Sequence, residues 1–155
     1  MIIYSEEEIQ AIKRSNQIVA KILAELKEMI KPGVQTKELD EHAEMRALEM
    51  GARPAFKGYR GYPSALCTSI NEELDHGIPS SRRCREGDIV SLDFGVLFEG
   101  YYGDAAVTYG VGKISLRAKR LIETAEQAFY RALNEMKPQK RISDISSAIQ
   151  GYVES

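Results

Sequence analysis

Ile89-Val90-Ser91-Leu92-Asp93-Phe94-Gly95-Val96, followed by Tyr101-Tyr102-Gly103-Asp104-Ala105-Ala106, reads as a β-hairpin with its connection around Glu99-Gly100. Strand side chains alternate, so Val90, Leu92, Phe94 and Val96 form one apolar face and Asp93 lies on the other. A turn centred between Phe98 and Glu99 puts Asp104 directly opposite Asp93. A turn centred between Glu99 and Gly100 puts Asp104 opposite Gly95 and makes Asp93 its diagonal neighbour. Both registers place the two carboxylates on one face, with Cβ atoms about 5 Å apart if opposed and about 7–8 Å if diagonal. Like charges that close, in strands this apolar, are relieved by a shared proton, a basic partner or a divalent cation. Neither strand carries Lys or Arg, and Gly95, Ala106 and Thr108 are small enough to leave room for a hard cation. A plain solvated sheet face is the competing reading.

Helices flank the hairpin. Ser5 and Glu8 form a capping-box signature ahead of Ile9, Ile12, Ile18, Ile22, Leu26 and Met29, a periodic run that stops at Lys31-Pro32-Gly33. Thr36 opens a second helix with Leu39, Ala43, Ala47 and Met50 on one face, closed by Gly51. Residues 53–62 read as a loop, 64–70 as a strand, 71–73 as a turn and 74–78 as a short returning strand. Ser115 caps a third helix carrying Leu121, Ile122, Ala125, Phe129, Leu133 and Met136, and a fourth begins near Ser143. Lys31-Pro32 is echoed by Lys137-Pro138, and at that same offset Thr36, Leu39 and Ala43 meet Ile142, Ile145 and Ile149. The echo suggests a pseudo-symmetric molecule.

The chain has 155 residues, 43% apolar and 28% charged, which fits a single compact domain with a real core. A net charge of -2 and a pI near 5.8 argue against a DNA-binding role. Arg82-Arg83-Cys84-Arg85 and Lys137-Pro138-Gln139-Lys140-Arg141 are short basic clusters beside turns; they read as solvated loops or as weak anionic contacts such as ribosomal RNA. With a mean hydropathy of -0.33 and no long apolar run, no membrane span is expected. Met1-Ile2-Ile3-Tyr4 has no basic leader, so no signal peptide is expected either. Cys67 and Cys84 cannot build a disulfide framework, which points to a reducing, cytoplasmic compartment. Cys84 and His42 are expected at the surface.

Five segments together are more specific than any one of them: Pro54-Ala55-Phe56-Lys57-Gly58-Tyr59, Cys67-Thr68-Ser69-Ile70-Asn71-Glu72, His76-Gly77-Ile78-Pro79, Gly87-Asp88-Ile89-Val90-Ser91-Leu92-Asp93 and Gly100-Tyr101-Tyr102-Gly103-Asp104-Ala105-Ala106. In order and spacing they resemble the type I methionine aminopeptidases. The resemblance implies an α/β (α+β) pita-bread fold, with residues 1–112 as a first pseudo-repeat and 113–155 as the start of a second. It implies Asp93 and Asp104 as metal ligands, Asp93 bidentate and Asp104 bridging. Two divalent ions per complete site are implied, with Co, Mn, Fe or Zn all compatible with carboxylate and imidazole ligands. It implies His76 as the catalytic residue that contacts substrate, and Phe56, Tyr59, Tyr62 and Cys67 as the lining of a pocket for the N-terminal methionine of nascent peptides.

Three positions depart from the family pattern. Arg60 and Tyr102 stand where many members have histidine, and Asp75 precedes His76 where an apolar residue is common. The family's remaining ligands, a histidine and two glutamates, find no counterpart up to Ser155. The chain by itself is therefore expected to be inactive and prone to self-association. The alternative is a non-catalytic half-fold that binds a peptide or a partner.

Overall fold

The computed structural model describes residues 4–155, so Met1-Ile2-Ile3, on which part of the leader reading rests, lies outside it. Two compact units divide the chain, Met1–Lys113 and Ile114–Ser155. In the first, helices α1 (Glu6–Met29) and α2 (Thr36–Glu49) accompany strands β1 (Arg53–Pro54), β2 (Leu66–Ile70), β3 (Ile89–Phe98) and β4 (Tyr101–Gly110). Strand β3 is the spine of an antiparallel sheet. It pairs with β4 along one edge and with β2 and β1 along the other.

Helix α1 starts where the capping box predicts. Ser5 Oγ accepts from Glu8 N at 3.2 Å, and Ser5 N donates to the Glu8 carboxylate at 2.7 Å. Its buried side includes Ile18, Val19, Ile22, Leu23 and Leu26, which pack with Val90, Leu92, Phe94 and Val96 of β3 in one core. Close approach of α1 to β4 depends on Gly103, because a Cβ there would lie 2.5 Å from the Ser15 carbonyl carbon. Ser15 itself is fully buried, and its hydroxyl bonds the carbonyl of Tyr101 at 3.0 Å.

Glu99 and Gly100 both have positive φ, 51° and 86°, the signature of a two-residue type I′ turn between Phe98 and Tyr101. That turn selects the second of the two registers: Gly95 faces Asp104 and Asp93 faces Ala106.

Three expectations need correction. Residues 74–78 form no strand. His76 takes a left-handed φ of 52°, and Leu74 stands almost fully exposed, so alternation is lost after β2. Residues 53–62 are less irregular than expected, holding β1 and a single 3-10 turn at Tyr59–Gly61. Cys84 is buried, not exposed, because its backbone pairs with the 33–36 segment: Cys84 N donates to Val34 O at 2.9 Å and Gly33 N to Cys84 O at 2.8 Å. That pairing turns the thiol inward between outward-facing arginines.

In the second unit, α3 (Leu116–Glu135) is capped by Ser115, whose Oγ accepts from Ala118 N at 3.1 Å, and α4 spans Ile142–Val153. The apolar stripe read on α3 is largely uncovered. Only Ala128 and Ala132 of the helix are buried, whereas Leu121, Phe129, Leu133 and Met136 are exposed.

Candidate metallopeptidase site

The polar face of the sheet carries the site. Register sets Cys67 of β2 directly across from Asp93 of β3, and Asp104 of β4 diagonal to Asp93. Beside them the 53–63 segment folds back over the sheet. Gly95 lets the Phe56 ring lie against β3, since a Cβ there would come within 2.7 Å of Phe56 Cε1. Part of the space expected above the carboxylates is thus filled by Phe56, which becomes a wall. The result is a cleft of about 580 Å³ lined by Phe56, Tyr59, Tyr62, Cys67, His76, Asp93 and Asp104, with Arg60, Gly61, Pro63 and Ile78 completing it. Every site residue expected from the sequence therefore meets in one cavity.

Its electrostatics are lopsided. Burial, and then the neighbouring Asp104 charge, pushes the half-buried Asp93 carboxyl up to about 6. Burial raises Asp104 as well. Asp75 adds to the negative field at Asp93, a contribution the sequence hinted at only as a departure before His76. Among the described residues neither Asp93 nor Asp104 forms an ion pair with Lys, Arg or His. Two crowded carboxylates without a basic partner suit a hard divalent cation, which removes their repulsion and replaces lost solvation. Among the described residues no three or more His, Cys, Asp or Glu side chains are placed so that together they could hold a metal ion.

The other residues are placed as follows. His76 is largely exposed at the mouth, with Nε2 3.4 Å from Asp75 Oδ2 and its amide bonded to Asp75 Oδ1 at 2.8 Å. Cys67 is buried, and burial raises its thiol, so it presents a neutral surface to the cleft. Tyr59 lies at the rim under the Arg60 guanidinium, 5.5 Å from the ring centroid. Outside the cleft, His42 is partly buried and not a free surface residue, because its Nε2 meets Glu25 Oε2 at 3.1 Å. In the first basic cluster Arg82 pairs with Glu73 at 2.6 Å and Arg83 donates to the Gly33 carbonyl at 2.6 Å, so two of its guanidinium groups serve the fold.

A mixed helix-and-sheet scaffold here presents paired carboxylates next to an apolar-walled cleft. The chain belongs to metallopeptidase family M24, which matches residues 10–155. It is 50% identical to methionine aminopeptidase 1 of Bacillus subtilis over 148 residues, covering 96% of this chain and 60% of that protein. The crystal structure of methionine aminopeptidase from Thermotoga maritima superposes with a TM-score of 0.97 at 39% identity, covering 99% of this chain and 62% of that one. Prolidase from Pyrococcus furiosus matches at a TM-score of 0.88 and 26% identity, covering 99% of this chain and 44% of that one. The fold is the pita-bread fold of these enzymes, and the family implies a divalent metal. The chain spans about 60% of the length of the curated relatives it matches. Among the described residues no helix is long and apolar enough to cross a membrane.

Proposed function

We propose that this chain carries the substrate pocket and part of the metal shell of a methionyl aminopeptidase acting on the N-terminal methionine of nascent peptides. The observation that carries the reading is the single cleft in which an apolar wall adjoins the unpaired Asp93–Asp104 carboxylates. Asp93 and Asp104 hold the metal, two ions of Co, Mn, Fe or Zn in a complete site. When bound, a divalent ion polarises the scissile carbonyl and acidifies water. Phe56, Tyr59, Tyr62 and Cys67 offer a cleft in which an unbranched thioether side chain leaves water. His76, solvent-facing at the mouth, donates a hydrogen bond to the substrate amide without binding metal.

Two carboxylates make a sparse shell, so the 155-residue chain is expected to bind Mn weakly, with a dissociation constant of millimolar order, and to release no methionine from a Met-Ala-Ser peptide. Calorimetry tests the first point. Asp93→Asn and Asp104→Asn should each abolish the Mn heat, and binding as tight as wild type by both variants would refute the ligand assignment. Adding the residues of a relative that follow the point matching Ser155 should restore release. In that longer chain His76→Ala should lower kcat about 10²–10³-fold, the loss of one hydrogen-bond donor, with metal content unchanged. Peptide binding without release in the longer chain would favour a non-catalytic binding module instead.

A further inference from the structure

The hydroxyl of Tyr62 is already engaged by the protein. Its Oη lies 3.1 Å from the carbonyl of Leu66, the first residue of β2, and 3.0 Å from the carbonyl of Gly77. Burial, with Cys67 alongside, raises the phenol far above its ordinary range, so the proton stays on and the group acts as a donor. One proton shared by two carbonyls ties the start of β2 to the residue after His76.

Gly77 is held from other directions too. Its carbonyl accepts from Thr68 N at 2.8 Å, and its amide donates to Ser69 Oγ at 3.1 Å. A Cβ at this position would collide with the Thr68 carbonyl, so only glycine permits the approach. The neighbouring His76 sits at a left-handed φ of 52°, a conformation that side-chain-bearing residues keep only when their surroundings enforce it. The enforcing contacts converge on Gly77, and Tyr62 supplies the one that comes from outside β2.

We propose that Tyr62 is a positioning residue for His76: its hydroxyl, acting through the Gly77 carbonyl, holds the 75–78 segment against β2 so that the imidazole stays at the mouth of the cleft. The relevance to catalysis rests on the reading of His76 as the residue that meets substrate. Tyr62 thereby differs from Phe56, which has only its ring to offer the cleft.

The chain has two histidines, so imidazole resonances report on His76 with His42 as an internal control. In the metal-free, peptide-free 155-residue protein, Tyr62→Phe keeps the ring and deletes the proton. The expected result is a His76 Cε1–H resonance displaced toward that of a free imidazole, with His42 unmoved. The Thr68 amide should exchange about fivefold faster, the loss of one ordinary hydrogen bond. An unmoved His76 resonance with wild-type Thr68 exchange would overturn the proposal. Wild-type protein gives a second test, which decides the matter if the substitution unfolds the chain. A slowly exchanging Tyr62 hydroxyl proton with a nuclear Overhauser contact to the Gly77 α-protons supports the tether, and a fast-exchanging hydroxyl without that contact overturns it. Neither readout uses metal or substrate, so failure here leaves the aminopeptidase reading standing, and the calorimetry and peptide assays test that reading separately.

Discussion

Thr68 Oγ1 is buried without a hydrogen-bond partner among the described residues. Thr68 pairs with Leu92 across the sheet, so its side chain lies on the core face, where an unpaired hydroxyl costs about 1 kcal/mol or more. Thr68→Val keeps the shape and the strand preference while removing that hydroxyl. It should raise stability by about 1 kcal/mol and the melting temperature by about 3 °C, measured by thermal denaturation; a lower melting temperature would mean the hydroxyl has a partner in solution. At this scale the sequence was legible where a residue type has one chemistry. Asp93 and Asp104 were readable as a pair because strand periodicity alone puts them on one face. Cys84 was not, since its arginine neighbours suggested a surface and the pairing with residues 33–36 that buries it is long-range. His42 misled for the same reason: its partner Glu25 sits on another helix.

Helices α1 and α2 are joined by one charged cluster. Glu25 on α1 receives Arg46 Nε at 2.7 Å and Nη2 at 3.0 Å, with His42 Nε2 at 3.1 Å. Hydrogen bonding by Arg46 first, and by His42 after it, holds the Glu25 carboxyl below its ordinary 4.5. A carboxyl with a depressed folded pKa stabilises the fold at pH values above its unfolded pKa, and that contribution fades as pH falls through the folded value. Glu25→Gln should therefore cost about 1 kcal/mol at pH 7, modest because the cluster is partly solvated. Urea denaturation at pH 7 and pH 3 checks this, with the gap between variant and wild type closing at the lower pH. A gap independent of pH would assign the cost to packing. Elements whose ends carry their own chemistry were legible from sequence, as the Ser5–Glu8 box and the Glu99-Gly100 turn show. The hairpin register was narrowed to two by alternation, and only the positive φ at both turn residues chose between them. Segment 74–78 was misread because its departure from alternation is imposed by Gly77 meeting Thr68, a contact no local pattern encodes.

Two surfaces, one in each unit, lack a covering element among the described residues and bear on association. Strand β4 pairs only with β3 among the described residues, so its outer edge has no partner strand, although Asn16 Oδ1 accepts from the Asp104 amide there at 3.2 Å. Its outward residues give the edge little protection, since Ala105 and Ala106 are exposed and the strand has neither Lys nor Pro. Natural edges avoid such openness because it templates pairing with another strand. Separately, α3 exposes Leu121, Phe129, Leu133 and Met136, an apolar stripe that α4 leaves uncovered. Stripes of this kind drive association when nothing else covers them. The expected outcome is concentration-dependent self-association of the 155-residue protein, visible by sedimentation velocity across the micromolar range. Two substitutions separate the surfaces. Ala106→Lys places a charge on the open strand, and Phe129→Glu places one in the stripe on α3. If the edge dominates, the first shifts the population toward monomer and the second does little; if the stripe dominates, the order reverses. A wild-type chain that sediments as a monomer at every concentration would show that neither surface suffices, because the ordering cost of pairing then exceeds what an exposed edge and a helical stripe return.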